Sequence, residues 1–276
     1  MNIIVISLLT LLAVGSVSAI ILYFVAKKFV VEEDPRIDEI EAVLAGANCG
    51  GCGYPGCRNF ATACVKSDSL DKLLCPVGGA STMEQIADML GMKAPVGEPK
   101  IAVVRCDGDC NHRPRNNHYD GVKSCAIAHN LYTGETGCSF GCLGWGDCEL
   151  SCKFDAIHIN PETLLPVVDE DKCTACGACV KACPKMLIEL RKKGPNSHRI
   201  YVSCMNKEKG STTIKHCSVG CIACSKCTKV CEFDAITVSQ HHLAYIDDNK
   251  CTLCGKCVEV CPTSAIVEKN KPKINA

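Results

Sequence analysis

The cysteines of this chain come in runs, and the runs limit what it can become. The pattern C-x2-C-x2-C-x3-C-P stands at 173 to 184 and again at 251 to 262, and without its proline at 221 to 231. In all, 26 of 276 residues are cysteine, a density found in disulfide scaffolds and in metalloproteins. Disulfide-dense domains are short, because cross-links replace a core that a small chain lacks. This chain is long enough for ordinary cores in one or two domains. Six Phe, six Tyr and one Trp imply that those cores are small. With 30 Lys and Arg against 30 Asp and Glu, nothing draws the whole molecule to nucleic acid, and no such partner is expected.

The runs belong to a longer repeat. Cys125, Cys138, Cys142, Cys148 and Cys152 reappear 79 positions later as Cys204, Cys217, Cys221, Cys227 and Cys231. Cys173, Cys176, Cys179 and Cys183 recur 78 positions later as Cys251, Cys254, Cys257 and Cys261. Flanking residues repeat too: KFDAI at 153 to 157 matches EFDAI at 232 to 236, and the strand-like LPVVDEDKC matches LAYIDDNKC. Two copies are too few for an open stacked array, so the chain carries a duplicated unit of two cysteine runs.

Three thiolates at i, i+3 and i+6 in a tight loop converge on three corners of a four-iron cube, and the fourth is aimed elsewhere. In two-cluster ferredoxins that fourth cysteine ligates the other cluster, and the proline after it turns the chain away. The spacing therefore groups Cys152 with Cys173, Cys176 and Cys179, and Cys231 with Cys251, Cys254 and Cys257. The partner sites take Cys221, Cys224 and Cys227 with Cys261, and Cys138, Cys142 and Cys148 with Cys183. In that last set Trp145 stands where the second copy has Cys224. Cys138 can supply the missing ligand, which leaves its counterpart Cys217 spare. Zinc ribbons also use paired CxxC groups, but not tandem twelve-residue runs of four.

A different constellation comes earlier. Cys49, Cys52 and Cys57 lie in NCGGCGYPGC, and Cys75-Pro76 comes after them. Glycines there let backbone approach inorganic sulfide and offer N–H donors, so these four thiols form a further 4Fe-4S site. Gly51-x-Gly53-x-x-Gly56 also matches a dinucleotide fingerprint, but a helix rather than a strand precedes it and no βαβ pattern follows. Six cysteines stay outside these five groups: Cys64, Cys106, Cys110, Cys125, Cys204 and Cys217. Cys64, on an expected helix from Arg58 to Val65, reads as a packed thiol. A sixth cluster on Cys106, Cys110 and Cys125, completed by His112 or His118, stands against a reading of these thiols as structural.

From Ile3 to Ala26 no residue carries a formal charge, and Lys27-Lys28 close the stretch. As a helix it covers roughly 36 Å against a hydrocarbon core of roughly 30 Å. Val17-Ser18-Ala19 resembles a signal cleavage site, yet no Lys or Arg lies in the first 26 residues and the apolar run continues past Ala19. A retained single-pass anchor is expected, with the residues after Lys27-Lys28 on the cytoplasmic side of the inner membrane. That compartment is reducing and leaves thiolates free for metal. An amphipathic helix from Asp34 to Gly46, with Ile37, Ile40, Val43 and Leu44 on one face, leads to the first cysteines. Ala94 to Pro99 reads as a linker, Ile101 to Val104 as a strand, and Glu268 to Lys273 as a solvated charged tail. The expected fold is α+β: an anchor at 1–26, a four-Cys domain at 33–92, and ferredoxin-like units at 100–190 and 199–268.

The order of these parts, with NCGGCGYPGC, Cys75-Pro76-Val77-Gly78-Gly79 and GCLGWGDC at 141 to 148, closely resembles the B subunit of the Rnf-type ion-translocating electron transport complex. The early domain is also similar to one found in corrinoid iron–sulfur proteins. The resemblance implies a subunit that takes electrons from reduced soluble ferredoxin and relays them to other subunits. It implies that the assembled complex couples transfer between ferredoxin and NAD to movement of Na+ or H+. At least five 4Fe-4S clusters are expected and no catalytic acid, base or nucleophile, because a cluster whose four irons each carry a thiolate offers substrate no open position.

Overall fold

The computed structural model describes residues 3–28, 34–95 and 97–272. Met1 and Asn2 of the expected anchor, residue 33 at the start of the four-Cys domain, Val96 of the linker and Lys273 of the tail lie outside the described residues. Helix α1 (Ile3–Lys28) is long and apolar enough to cross a membrane, and its side chains from Ile4 onward are exposed. The hydroxyls of Ser7, Thr10 and Ser16 donate to the carbonyls of Ile4, Ser7 and Leu12 at 2.8–2.9 Å. These three hydroxyls are thus satisfied within the helix, as a span in hydrocarbon favours.

Three short helices come next: α2 (Arg36–Val43), α3 (Cys57–Lys66) and α4 (Gly79–Leu90). They close over Ile37, Ile40, Leu44, Phe60, Ala61, Cys64, Met83 and Ile86. α2 is shorter than the amphipathic pattern predicts. Leu44 turns extended (φ −68°, ψ 151°) and carries its side chain into this core from beyond the helix end, while Val43 is only half-buried.

The rest is built twice. The first unit contains β1 (Lys100–Val104), α5 (Cys125–Leu131), α6 (Asp147–Leu150), β2 (Ile157–Ile159), β3 (Pro166–Val168), α7 (Ala178–Ala182) and β4 (Ile188–Lys192). The second contains β5 (Arg199–Val202), α8 (Gly210–His216), α9 (Lys226–Lys229), β6 (Ile236–Val238), β7 (Ala244–Ile246), α10 (Lys256–Glu259) and β8 (Ile266–Lys269). In each, the first strand pairs antiparallel with the last and a small hairpin lies between the cysteine runs: β1 with β4 and β2 with β3, then β5 with β8 and β6 with β7.

Side chains alternate across a strand, so β1 serves two cores. Ala102 faces the first unit's interior with Ile157, Cys179 and Ile188, whereas Ile101 and Val103 face Tyr201 of the second unit. That is why the run IAVV is apolar on both faces. Buried arginines complete the seam. Arg105 Nε donates to Val202 O at 3.1 Å, Arg191 bonds Ile246 O and Asp248, and Arg199 Nη1 meets Glu170 Oε2 at 3.0 Å. Glu170 is the carboxylate that balances Arg199, and the Arg199 guanidinium holds the Glu170 carboxyl below its ordinary range. Glu170→Ala leaves that guanidinium enclosed without its anion. We expect a loss of about 3 kcal/mol, the lower end for breaking a buried pair, read as a lower Tm for the two-unit region. An unchanged Tm contradicts this role for the seam.

Candidate metal centres

Backbone geometry, more than side-chain direction, arranges the thiols. In each run the residues two and four places after the first cysteine are left-handed: Ala175 and Gly177, Ala223 and Ser225, Leu253 and Gly255. The degenerate run from Cys142 has the same turns at Gly144 and Gly146. Alternating right- and left-handed residues aim successive N–H groups into a concave loop that favours anions. Three places past each fourth cysteine the chain is left-handed again, at Asp155, Met186, Asp234 and Ser264. The N–H groups of Ala156 and Leu187 then reach back to Cys152 Sγ and Cys183 Sγ, both at 3.4 Å. Such donors favour a thiolate over a thiol.

In the early domain Cys49 and Cys52 lie in the glycine loop, Cys57 opens α3 and Cys75 precedes α4. Asn48 Oδ1 accepts from Cys57 N at 2.7 Å and pins the loop to the helix start. Gly51 N–H and Gly78 N–H point at the sulfurs of Cys49 (3.5 Å) and Cys75 (3.4 Å). Burial pushes the Cys75 thiol up, and its neighbours Cys52 and Cys49 add to the effect. Cys64 is fully buried, and burial raises its thiol to about 12.

In the second unit Cys221, Cys227 and Cys257 are buried in one core, with Cys231, Cys251 and Cys261 against it. Burial raises Cys257 to about 12, with Cys251, Cys254 and Cys227 adding to it, and Cys227 to about 11, with Cys221 and Cys224. Cys179 is raised to about 11 by burial and then by Cys173, Cys176 and Cys152. Metal-free, the Cys179, Cys227 and Cys257 thiols therefore stay protonated at neutral pH, and any metal must displace those protons.

One quartet differs from the spacing-based assignment. Cys142, Cys148 and Cys183 line a cavity with Cys125, and Cys138 lies elsewhere. The cause is Asp147, which accepts from Ser124 Oγ (3.0 Å), Cys125 N (2.9 Å) and Ala126 N (2.9 Å). It caps α5 from a distance in sequence and draws Cys125 to Cys148. Trp145, in the place of the absent cysteine, brings its backbone N–H near Cys125 and packs its ring 5.1 Å from Tyr119, which stacks on Tyr132. The missing thiol at 145 was a visible signal that another cysteine must substitute. Spacing put Cys138 there and left Cys125 outside the quartet.

Cys138 instead shares a second cavity with Cys106, Cys204 and Cys217. Cys110 is exposed and donates to Glu162 O at 3.4 Å, apart from Cys106 and Cys125. His112 and His118, candidate ligands by sequence, face carboxylates: His112 Nδ1 is 2.7 Å from Asp109 and His118 Nδ1 3.5 Å from Glu135. Four thiolates on one zinc ion sit about 3.8 Å apart, from a Zn–S bond of about 2.3 Å. Among the described residues no three Cys, His, Asp or Glu side chains gather to hold a single ion. Two sets of four thiols, those of Cys125, Cys142, Cys148 and Cys183 and of Cys106, Cys138, Cys204 and Cys217, line cavities.

The early site adjoins the first unit. A Cβ on Gly51 would come within 2.8 Å of Cys176 O, and Lys153 Nζ donates to Ala47 O at 3.3 Å. Only glycine allows that approach. At the other end of the molecule's cysteine series, Cys224 and Cys254 are exposed.

Three family models match the chain: a putative Fe-S cluster domain at 44–76, a 4Fe-4S binding domain at 166–189 and a 4Fe-4S dicluster domain at 220–265. Among curated proteins the chain is 43% identical over 238 residues to the B subunit of the Na(+)-translocating ferredoxin:NAD(+) oxidoreductase complex of Acetobacterium woodii, covering 86% of this chain and 69% of the relative. It is 40% identical over 251 residues to the B subunit of the proton-translocating ferredoxin:NAD(+) oxidoreductase complex of Clostridium ljungdahlii, covering 91% and 87%. It is 38% identical over 246 residues to the B subunit of the ion-translocating oxidoreductase complex of Methanosarcina acetivorans, covering 89% and 91%.

If Asp147 is what brings Cys125 to its quartet, Asp147→Ala costs about 1–2 kcal/mol as a lost cap and alters one cluster signal in the EPR spectrum of the reduced protein. Asp147→Asn, which keeps an acceptor oxygen, alters it less. A spectrum untouched by Asp147→Ala would return Cys125 to a structural role.

Proposed function

This chain belongs to the family of B subunits of ion-translocating ferredoxin:NAD(+) oxidoreductase complexes, and on that footing we propose that it is the membrane-anchored iron–sulfur relay of such a complex. It takes electrons from soluble ferredoxin and hands them to neighbouring subunits. α1 anchors it as a single span, and Lys27-Lys28 keep the cysteine domains on the cytoplasmic side. The chain divides into that anchor, the early four-Cys domain and two ferredoxin-like units, an α+β arrangement.

Five quartets hold the clusters: Cys49, Cys52, Cys57 and Cys75; Cys125, Cys142, Cys148 and Cys183; Cys152, Cys173, Cys176 and Cys179; Cys221, Cys224, Cys227 and Cys261; and Cys231, Cys251, Cys254 and Cys257. When bound, such clusters exchange single electrons at potentials between about −700 and +450 mV. The chain's own part is to supply thiolates, to aim N–H groups at their sulfurs and to exclude water from the buried corners. Hydrogen bonds and exposure of this kind set the potential of each site.

The observation that carries the proposal is the left-handed pair repeated in all four ferredoxin-type runs, including the run that lacks its second cysteine. A backbone kept between the copies where the side chain is not speaks for a shared guest. Close approach of the early loop to Cys176 supports passage between domains, and exposed Cys224 and Cys254 support exchange with partners.

Anaerobically purified full chain should contain at least about 20 iron and 20 acid-labile sulfide, four of each per quartet. Cys254→Ser should change one EPR component of the reduced protein and slow its reduction by ferredoxin. About four iron per chain, or zinc in their place, would sink the relay.

A further inference from the structure

The cavity lined by Cys106, Cys138, Cys204 and Cys217 has no place in the five quartets, yet it is built with the same care. Each unit contributes two of its thiols. Cys106 and Cys204 stand two residues beyond the first strand of their units, β1 and β5. Cys138 and Cys217 are counterparts in the repeat, within CSFGC and CSVGC. Three of the four are buried and Cys106 is half-buried. The duplication has thus placed two related pairs face to face at the seam between the units.

Donors converge on the sulfurs. Backbone N–H groups of Phe140, Val219 and Cys221 lie near Cys138, Cys217 and Cys204. Asn206 is 2% exposed; its backbone N–H lies 3.4 Å from Cys204 Sγ and its side-chain amide 3.5 Å from Cys138 Sγ. Neutral thiols need no such concentration of donors, whereas thiolates do.

Charge supplies a separate argument. Arg113 is 8% exposed and lines the same cavity. Its Nε donates to Gly108 O at 3.1 Å and its Nη2 to Cys142 O at 2.7 Å, and among the described residues no carboxylate pairs with it. Lys185 stands near Cys138, Cys142 and Cys183; its Nζ bonds the carbonyls of Thr133 and Ser139, again with no carboxylate. A guanidinium cannot shed its proton, so enclosing one without an anion is costly. Four thiolates around a four-iron core carry a net negative charge in both common oxidation states and would balance both cations. Glycines make the room: any side chain at Gly141 would collide with the Arg113 guanidinium, and a Cβ on Gly108 would stand 3.0 Å from Cys217 Sγ.

We propose that Cys106, Cys138, Cys204 and Cys217 hold a sixth 4Fe-4S cluster at the junction of the two units. The proposal rests on the reading that the other quartets carry such clusters. Its position has a consequence for the relay. Cys106 neighbours Cys142 of the first unit's odd quartet, and Cys204 neighbours Cys221 of the second unit. The sixth site therefore stands between the two units' cluster sets, as a stepping stone that accepts and releases one electron without net change.

The test uses the full chain in detergent, reconstituted anaerobically with iron and sulfide, and assayed for iron, sulfide and zinc. About 24 iron per chain is expected, four for each of six sites. Cys106→Ala and Cys217→Ala should each drop toward about 20 and lose one EPR component of the reduced protein. Cys110→Ala, at the exposed thiol, should stay at the parent's value. A parent at about 20 iron, or variants at Cys106 and Cys217 that keep the parent's iron and full spectrum, overturns the sixth site and leaves the five-cluster relay standing. Iron near four per chain, or zinc in its place, overturns both. If alanine at these positions costs the fold, the stoichiometry of the unsubstituted chain decides.

Discussion

A backbone forced into left-handed turns at fixed steps is the constraint on which this molecule depends. Non-glycine residues resist that conformation by roughly 1–2 kcal/mol each, and the runs place Ala175, Ala223, Ser225 and Leu253 there, followed by Asp155, Met186, Asp234 and Ser264 past the fourth cysteines. The elements between these turns are helices of four or five residues and strands of three, too short to impose the geometry. Something in the loops must offset the strain, and metal–thiolate bonds are strong enough to do so. Folding of these units is then coupled to loading, as in other small metal domains.

Charge is handled by pairing a buried cation with whatever anion is nearest. Along the seam the anions are carboxylates: Glu170 for Arg199, Asp248 for Arg191, Glu189 for Arg105. Around the central thiols Asp107 lines the cavity, but among the described residues no carboxylate pairs with Arg113 or Lys185, whose hydrogen bonds go to carbonyl oxygens. The same residue types thus serve two ends. Where a carboxylate is present the arginine fastens one unit to the other, and where it is not the cation marks a place for a charged guest.

Duplication has been followed by divergence of partners. The second copy retains a complete run with Cys224, so Cys204 and Cys217 are released from it. The first copy has Trp145 in that place, and Cys125 is drawn in by the carboxylate of Asp147. The position equivalent to Asp147 in the second copy is Lys226, which offers no acceptor, and Cys204 is left on the seam. One change from acid to base therefore accompanies the different fates of two matching cysteines.

Within a run, the sequence already constrains which thiols lie close together. Cys173, Cys176 and Cys179 lie within seven residues, and the loop that joins them has few ways to close, so their proximity follows from spacing. The apolar span of α1, the strand at β1 and the helices bearing Ile40 and Phe60 were readable for the same reason, since periodicity is a local property. Partners for the cysteines outside the regular pattern were not. Whether Cys125 or Cys138 completes the odd quartet depends on a hydrogen bond from Cys125 to Asp147, and the grouping of Cys106 with Cys217 depends on how two units pack through Ile101, Val103 and Tyr201. Spacing constrains a chain only over the distance that its own backbone stays stiff, and beyond that the packing of side chains decides which thiols meet.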